Sequence, residues 1–280
     1  MPELVANPQT PPALRMVPPF PAVAHRVLAL IGQEDVNVQE VGDLVKMDPA
    51  FSAELLRFAN SALFGARREV KSLPQAIIVV GMDRVKTVAT LAAANRMVRS
   101  AVRTESLRRV WVHSLVTALV AEEVARVTHV ARDSAYTLGL LHNLGALALM
   151  STFPERYACL LEESSIPGFD LLRAEHDLFE IDHCAAGAYL ARAWNFPEQI
   201  AAAIATHHEA PELDDHSIEN LIKVSWRFAD TLGYEAGKPD RSWSYQELLD
   251  FLPDPESSWL GESAEVAAAE LAARLADVPL

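Results

Sequence analysis

Cysteine is scarce in this chain of 280 residues, because only Cys159 and Cys184 are present. Two cysteines build no disulfide framework, and their spacing matches no zinc motif, so we expect both to be small buried apolar residues in a reducing compartment. The N-terminus lacks a basic-then-apolar signal pattern, and the most apolar window, 138–150, is too short to span a bilayer. These absences predict a cytoplasmic protein that is not inserted in a membrane.

Glycine and aromatic residues are also few, at 11 glycines and 7% aromatics, whereas half of the residues are hydrophobic. This balance favours helices over strands. Seven of the 17 prolines fall in the first 21 residues, which indicates an irregular arm there. We therefore predict an all-α protein without a significant sheet, in which a helical N-terminal lobe packs on a second helical bundle.

Apolar spacing and capping residues predict the individual helices. Asp48 is expected to cap the third helix with Pro49 at its first position, and Asn60-Ser61 to end it in a turn. A weaker segment follows at 240–260, without a clear helical pattern. The predicted helices span 21–32, 38–47, 49–60, 72–79, 82–100, 105–127, 133–150, 154–163, 170–179, 182–194, 197–208, 217–233 and 262–277.

An excess of negative charge, net −14, argues against general nucleic-acid binding, which needs a positive surface. The charge is uneven, because residues 67–109 hold ten Lys or Arg and three acidic residues. This basic segment is either a solvated helix face or a docking surface for an acidic signalling partner, including the acidic half of a second copy. Arg96, Arg99 and Arg103 are the candidate partner-binding residues.

Three polar residues lie in otherwise apolar predicted helices: His113, His142 and Asp230. A single histidine in such a helix is more often a satisfied core residue than a metal ligand. A buried carboxylate, however, needs a partner, so we expect the three to meet in a polar pocket. Asn143 follows His142, where an aspartate would complete a His-Asp metal-binding pair. An amide oxygen is a poorer ligand for a hard divalent cation than a carboxylate.

A second candidate set contains Glu180, His183, His207 and His208. Glu180 and His183 are predicted to share one helix face, at the spacing of carboxylate–histidine pairs in helical metal sites. Adjacent His207 and His208 diverge by about 100° on a helix, so both serve one site only at a helix end. These four residues are candidate additional metal ligands.

The order His113, His142-Asn143, Asp230 resembles the H…HD…D signature of the HD superfamily of metal-dependent phosphohydrolases. His183 and the run His207-His208-Glu209 resemble the region that supplies extra metal ligands in its HD-GYP branch. The stretches LVKMDPAFSAELLRFANSALFG (44–65) and SLPQAIIVVGMDRV (72–85) are similar to the HDOD domain, an HD-related output domain of bacterial signalling proteins. The resemblance spans roughly 17–235.

Proline content, the change of charge near 100–110 and the resemblance together predict four segments: a proline-rich arm (1–20), an N-terminal helical lobe (21–105), a degenerate HD-like lobe (106–235) and a C-terminal extension with a terminal helix (236–280). Most HDOD proteins lack a complete metal site. Here Asn143 replaces the metal-binding aspartate, Ala146 stands where hydrolytic relatives often keep a lysine, and the GYP loop is absent.

These departures predict a non-catalytic bacterial signal-transduction module that acts through protein contacts or senses a small ligand. It would require no cofactor, although the remaining ligands suit a residual divalent transition metal. It would bind no nucleic acid and no membrane, and it could form a homodimer. The alternatives are a metal-dependent phosphohydrolase that uses His113, His142, Asn143 and Asp230, and an inert metal site that only stabilises the fold.

Overall fold

The computed structural model describes residues 10–17, 22–31, 36–60, 70–82, 84–85, 88–89, 105–164, 166, 168–194, 196–237 and 243–275. These residues form helices and connecting turns, and no strand occurs among them, so the all-α prediction is confirmed. The chain divides into two compact units. One comprises residues 19–96 and 272–280, and the other comprises residues 1–18 and 97–271.

The smaller unit contains four helices with complete bounds. They are α1 (Ala22–Ile31), α2 (Val38–Val45), α3 (Pro49–Ala59) and α4 (Leu73–Val80). Residues 82, 84–85 and 88–89 are also helical, and the rest of the helix predicted at 82–100 lies outside the described residues. The apolar faces of these helices share one core, in which Val27, Val41, Leu55 and Ala76 are fully buried.

Capping in this unit agrees with the sequence. The backbone N–H of Phe51 donates to Oδ1 of Asp48 at 3.1 Å, so Asp48 caps α3. Asn60 follows the end of α3 and exchanges hydrogen bonds with the backbone of Val70, at 2.7 and 2.9 Å. Its role is therefore structural, as predicted, whereas Ser61 lies outside the described residues.

The larger unit contains nine helices with complete bounds and most of a tenth, whose residues 272–275 are assigned to the smaller unit. They are α5 (Glu105–Thr128), α6 (Arg132–Leu141), α7 (Leu144–Thr152), α8 (Pro154–Glu163), α9 (Leu171–Phe179), α10 (His183–Ala193), α11 (Glu198–Thr206), α12 (Ile218–Thr231), α13 (Tyr245–Leu249) and α14 (Ala264–Leu275). Short 3₁₀ turns occur at Pro12–Leu14 and Pro255–Ser257. Within the described part of the chain, no helix is both long enough and apolar enough to cross a membrane.

Helix α5 is the central element of this unit and packs along α6 and α12, while α10 packs against α7 and α11. N-cap side chains stabilise the first turn of several of these helices. Asp170, Asp182 and Ser217 accept hydrogen bonds from backbone N–H groups of α9, α10 and α12. These caps set where each helix begins, and they therefore set which residues stand at the helix ends around the core.

The segment that follows α12 is packed rather than loose. Leu248, Leu260 and Leu271 are fully buried. The hydroxyl of Ser258 donates to Oε1 of Glu123 on α5 at 2.9 Å, and Tyr245 donates to the carbonyl of Leu260 at 2.6 Å. The described residues 243–271 thus contribute to the core of the larger unit.

The prediction of one helix over 133–150 is wrong, because the chain forms two helices there. Helix α6 ends at Leu141, and Asn143, with φ −92° and ψ 19°, leaves the helical region before α7 begins. Gly145 then lies against α10, where an added Cβ would come within 2.5 Å of the nitrogen of Gly187. The break and the missing side chain together bring His142 and Asn143 close to α10.

Candidate functional site

A cavity of about 310 Å³ lies in the larger unit, among the ends of its helices. Its wall contains seven of the eight residues that the sequence offered as metal ligands. They are His113, His142, Asn143, His183, His207, His208 and Asp230. The eighth, Glu180, is exposed and does not line the cavity. Residues from six helices or their ends therefore converge as a polar lining in a helical core.

One half of this lining, which we call the HD cluster, consists of His113, His142, Asn143 and Asp230. Nε2 of His113 lies 3.4 Å from Oδ1 of Asp230, and the rings of His113 and His142 are 5.3 Å apart. Asn143 is buried and precedes α7 without capping it through its side chain. Asp230 is the one carboxyl group among these four residues.

The other half, which we call the triple-histidine cluster, consists of His183, His207 and His208. Nε2 of His183 lies 3.4 Å from Nε2 of His207 and 3.1 Å from Nε2 of His208. His183 stands at the start of α10, and α11 ends at Thr206, so His207 and His208 occupy a helix end. The prediction that adjacent histidines reach one site only at such an end is confirmed.

The hydrogen bonds on the outer side of the rings assign the tautomers. Nδ1 of His142 lies 2.6 Å from the carbonyl of Gly139, and Nδ1 of His207 lies 2.7 Å from the carbonyl of Ile204. A carbonyl only accepts, so each Nδ1 carries the proton and each neutral ring turns an unprotonated Nε2 towards the cavity.

The donor set fits a late transition metal ion. A tetrahedral Zn²⁺ with Zn–N bonds of about 2.0–2.1 Å would hold two nitrogens about 3.3–3.4 Å apart, close to the observed 3.1 and 3.4 Å spacings. Two unprotonated nitrogens at this distance repel unless a proton or a metal ion lies between them. His183, His207 and His208 would hold such an ion, and imidazole suits Zn, Fe, Ni or Cu.

Burial controls the ionisation of most of these rings. It lowers the pKa of His142 to about 4, and it lowers the pKa values of His113, His207 and His208 well below their usual value. His183 differs. Burial disfavours its charged form, but the nearby Glu175 and Cys184 outweigh burial and raise the pKa of His183 well above its usual value. Glu175 therefore favours a positive charge on or beside His183, in contrast with the other rings of the cavity.

Burial also raises the pKa of Asp230 well above its usual value, with a further contribution from Glu235. The carboxyl group on the HD cluster is thus costly to ionise unless a cation is close. In contrast with the triple-histidine cluster, Nδ1 of His113 has no hydrogen-bond partner among the described residues.

The prediction that Glu180 and His183 share a helix face is wrong. Glu180 ends α9 in the left-handed conformation, at φ 62°, and Asp182 caps the next helix. The two residues therefore stand on opposite sides of a helix break. The carboxylate that contacts His183 is Glu175, at 2.7 Å from Nδ1. Glu175 lies on the apolar face of α9, four residues before the buried Phe179. A carboxylate on such a face indicates a buried polar contact, and this was the available signal in the sequence.

The two cysteines behave differently from each other. Cys184 is buried, as predicted, but its Sγ lies 3.7 Å from Nδ1 of His207, and it belongs to a group of four residues whose donor atoms lie within 4.8 Å of one another. The prediction that Cys159 is buried is wrong, because it is exposed on α8. Sγ of Cys184 lies next to Nδ1 of His207, whereas the imidazoles meet through their Nε2 atoms. We therefore do not count Cys184 among the residues of the triple-histidine cluster.

Sequence reasoning also missed Arg227, which lines the cavity next to Trp226 and Trp243. Its guanidinium donates to the backbone carbonyls of Lys223, His208 and Glu209, at 2.7, 3.0 and 2.9 Å. Arg227 therefore holds the chain segment that carries His208. The candidate partner-binding residues Arg96, Arg99 and Arg103 lie outside the described residues.

Comparison with known proteins identifies the family. A sequence model of the HDOD domain matches residues 17–210, and the chain belongs to this family. An uncharacterized protein of Treponema pallidum (strain Nichols) is 28% identical over 200 residues, which cover 70% of this chain and 38% of the relative. The Vibrio cholerae protein named cyclic di-GMP phosphodiesterase CdgJ is 28% identical over 135 residues, which cover 48% of this chain and 30% of the relative. The chain thus spans about a third of the length of these curated relatives.

Solved structures share the fold. An HDOD domain protein of unknown function from Geobacter sulfurreducens has a TM-score of 0.69 at 24% identity, over 93% of this chain and 90% of that one. A Marinobacter aquaeolei VT8 protein, whose name suggests signal transduction, has a TM-score of 0.74 at 23% identity, over 93% of this chain and 58% of that one. A Shewanella amazonensis SB2B protein, whose name suggests a phosphohydrolase, has a TM-score of 0.66 at 23% identity, over 94% of both chains.

Proposed function

We propose that this HDOD protein is a non-catalytic signal-transduction module whose histidine-lined cavity binds a late transition metal ion and thereby controls contacts with a partner protein. The observation that carries the proposal is the pairing of two features in one cavity. Three imidazoles turn their Nε2 atoms towards one another at 3.1 and 3.4 Å, while a neutral amide, Asn143, stands where a ligating carboxylate is needed.

The lining is poor in groups that would assist phosphate chemistry. A bound divalent ion would supply Lewis acidity and lower the pKa of a water molecule. The chain's own residues contribute little beside it. Ala146 lines the cavity at the position of the lysine in hydrolytic relatives, and the guanidinium of Arg227 is engaged by three backbone carbonyls. Ala146 offers no cationic group to a phosphate, and the donors of Arg227 that these carbonyls occupy are not available to one.

A second candidate function is metal-dependent phosphohydrolysis. It is favoured by the meeting of His113, His142 and Asp230 in the HD cluster, with 3.4 Å between His113 and Asp230. The similarity to the Vibrio cholerae cyclic di-GMP phosphodiesterase also supports it. Asn143 would then act as a weak fourth ligand. The metal site would have to function with one negative charge fewer than a site with aspartate at this position.

Elemental analysis of the purified full chain, combined with hydrolysis assays, separates the two functions. The assays use bis(p-nitrophenyl) phosphate, cyclic dinucleotides and nucleotides, each with added Zn²⁺, Mn²⁺ or Fe²⁺. We expect bound metal and no turnover above that of the His142→Ala variant. Turnover that disappears in His142→Ala would instead establish the phosphohydrolase.

The basic segment 67–109 is the proposed partner surface, on the evidence of its charge alone. Its simplest partner is the acidic half of a second copy. Charge reversal at Arg96, Arg99 and Arg103 is then expected to abolish self-association in sedimentation velocity at low salt. Unchanged association of the variant would exclude this segment as the surface.

A further inference from the structure

Glu175 is a fully buried carboxylate that does not line the cavity. Three donors surround it. Its Oε2 accepts from the backbone N–H of His183 at 2.8 Å and from Nδ1 of the same ring at 2.7 Å, and its Oε1 accepts from the hydroxyl of Tyr157 at 2.5 Å. A buried carboxylate without hydrogen-bond donors is strongly unfavourable. The three hydrogen bonds therefore fix the positions of Glu175, His183 and Tyr157 relative to one another.

The contact with His183 has a directional consequence. An ionised carboxylate only accepts hydrogen bonds, so Nδ1 of His183 must carry a proton. Glu175 holds His183 at two points, through the backbone N–H and through Nδ1 of the ring. The other ring nitrogen, Nε2, then points at His207 and His208. Buried carboxylate–imidazole pairs of this kind orient a ligand and increase its basicity.

We propose that Glu175 is the positioning residue of the triple-histidine cluster, because its carboxylate holds Nδ1 of His183 and so directs Nε2 to the point where His207 and His208 converge. The hydroxyl of Tyr157 contacts the other oxygen, Oε1, whereas both contacts with His183 are made by Oε2. The inference rests on the proposed function in its metal-binding part, and it adds a residue from α9 that no sequence motif pointed to.

The test is a double-mutant cycle on the full-length protein, with Zn²⁺ affinity measured by competition against a chromogenic chelator. Glu175→Gln keeps the size of the side chain and removes its charge. We expect it to weaken Zn²⁺ binding 10–100-fold, the usual effect of losing an outer partner of a ligand. In the His183→Ala background the same change is expected to alter the affinity less than about twofold, since a residue that acts only through His183 has nothing left to position.

A general structural role would give a different pattern. Glu175→Gln would then weaken binding by a similar factor with and without His183, and that result would overturn the proposal. The absorption spectrum of the Co²⁺-loaded protein is an additional readout, because it reports ligand geometry directly. We expect it to change in Glu175→Gln and to remain nearly unchanged in Tyr157→Phe, which leaves the carboxylate in contact with His183.

Nitrogen-15 NMR of the unsubstituted chain covers the case in which Glu175→Gln does not fold. Nδ1 of His183 should carry a proton in both the metal-free and the Zn²⁺-loaded protein. An unprotonated Nδ1 in the loaded protein would refute the assignment of Glu175. If the chain binds no metal at all, the metal-binding part of the proposed function fails, and the Nδ1 proton of the metal-free protein still decides whether Glu175 orients His183.

Discussion

The two halves of the cavity differ in how their histidines are held. In the triple-histidine cluster, His183 and His207 each have Nδ1 fixed by a carboxylate or a carbonyl at 2.7 Å. In the HD cluster, Nδ1 of His142 lies 2.6 Å from the carbonyl of Gly139, but His113 has no described partner for Nδ1, and its contact with Asp230 is a long 3.4 Å. The triple-histidine cluster therefore contains a ring oriented by a carboxylate, whereas the HD cluster contains one ring, His113, whose Nδ1 has no described partner.

The difference shows what each half offers to a metal ion. In the HD cluster, Asp230 is the one carboxylate, and Asn143 stands where the HD signature has an aspartate. The triple-histidine cluster depends on lone-pair geometry, which the surrounding hydrogen bonds preserve. An amide in place of a carboxylate lowers the affinity for a hard divalent ion most. It lowers the affinity for a softer ion bound by imidazole least.

The largest expected effect comes from removing a ligand in the better-held half. His183→Ala should weaken Zn²⁺ binding more than hundredfold, beyond the 10–100-fold typical of outer partners. The matched control is His113→Ala, an equally buried histidine in the HD cluster, for which we expect a smaller loss. Isothermal titration of both variants measures the ratio, and a larger loss in His113→Ala would reverse the comparison.

The close packing that joins the halves is expected to be sensitive to a single methyl group. Gly145→Ala would place Cβ 2.5 Å from the nitrogen of Gly187, and nearer still to the carbonyl of His183. We expect it to lower the free energy of unfolding by about 3 kcal/mol, the upper end for overpacking.

Gly42→Ala is the control for that substitution, because its Cβ would meet only side-chain atoms at 3.7 Å or more. It should be neutral or stabilising by up to about 1 kcal/mol, through helix propensity. Urea denaturation followed by circular dichroism measures both variants. Equal effects would show that the α7–α10 contact can relax.

Restoring the missing charge should sharpen the contrast between hard and soft ions. Asn143→Asp is expected to raise affinity for Mn²⁺ by about tenfold to hundredfold, since a contact with a charged group contributes about 1.5–3 kcal/mol. Zn²⁺ affinity at the triple-histidine cluster should change less. Titration with both ions tests this, and a selective gain for Zn²⁺ would contradict the division into two clusters.

A change remote from the cavity should affect stability alone. Burial disfavours ionised Glu123, but hydrogen bonds from Arg126 and Ser258 outweigh it and lower the pKa of this carboxyl group. Glu123→Gln should therefore cost about 1–2 kcal/mol at neutral pH and leave Zn²⁺ affinity unchanged. The lowered pKa means that the contribution is present above the ordinary Glu pKa and is lost as the pH falls through the folded value. The difference from the unsubstituted chain should thus shrink below about pH 4.

The sequence by itself determined the all-helical fold and most helix starts, because apolar spacing and caps such as Asp48 act locally. It also identified seven residues of the cavity wall from their chemistry and order. His207 and His208 could be assigned to a helix end, since only there can neighbouring histidines serve one site.

Tertiary structure alone decided which carboxylate contacts His183 and where the 133–150 helix breaks. Glu175 and His183 lie on different helices, and their distance depends on how α9 turns into α10 at Glu180. The break at Asn143 accompanies the close approach of Gly145 to α10, a contact distant in sequence. Local propensity contains no information about such contacts, so the supporting hydrogen bonds of the site could be found only once the helices were packed.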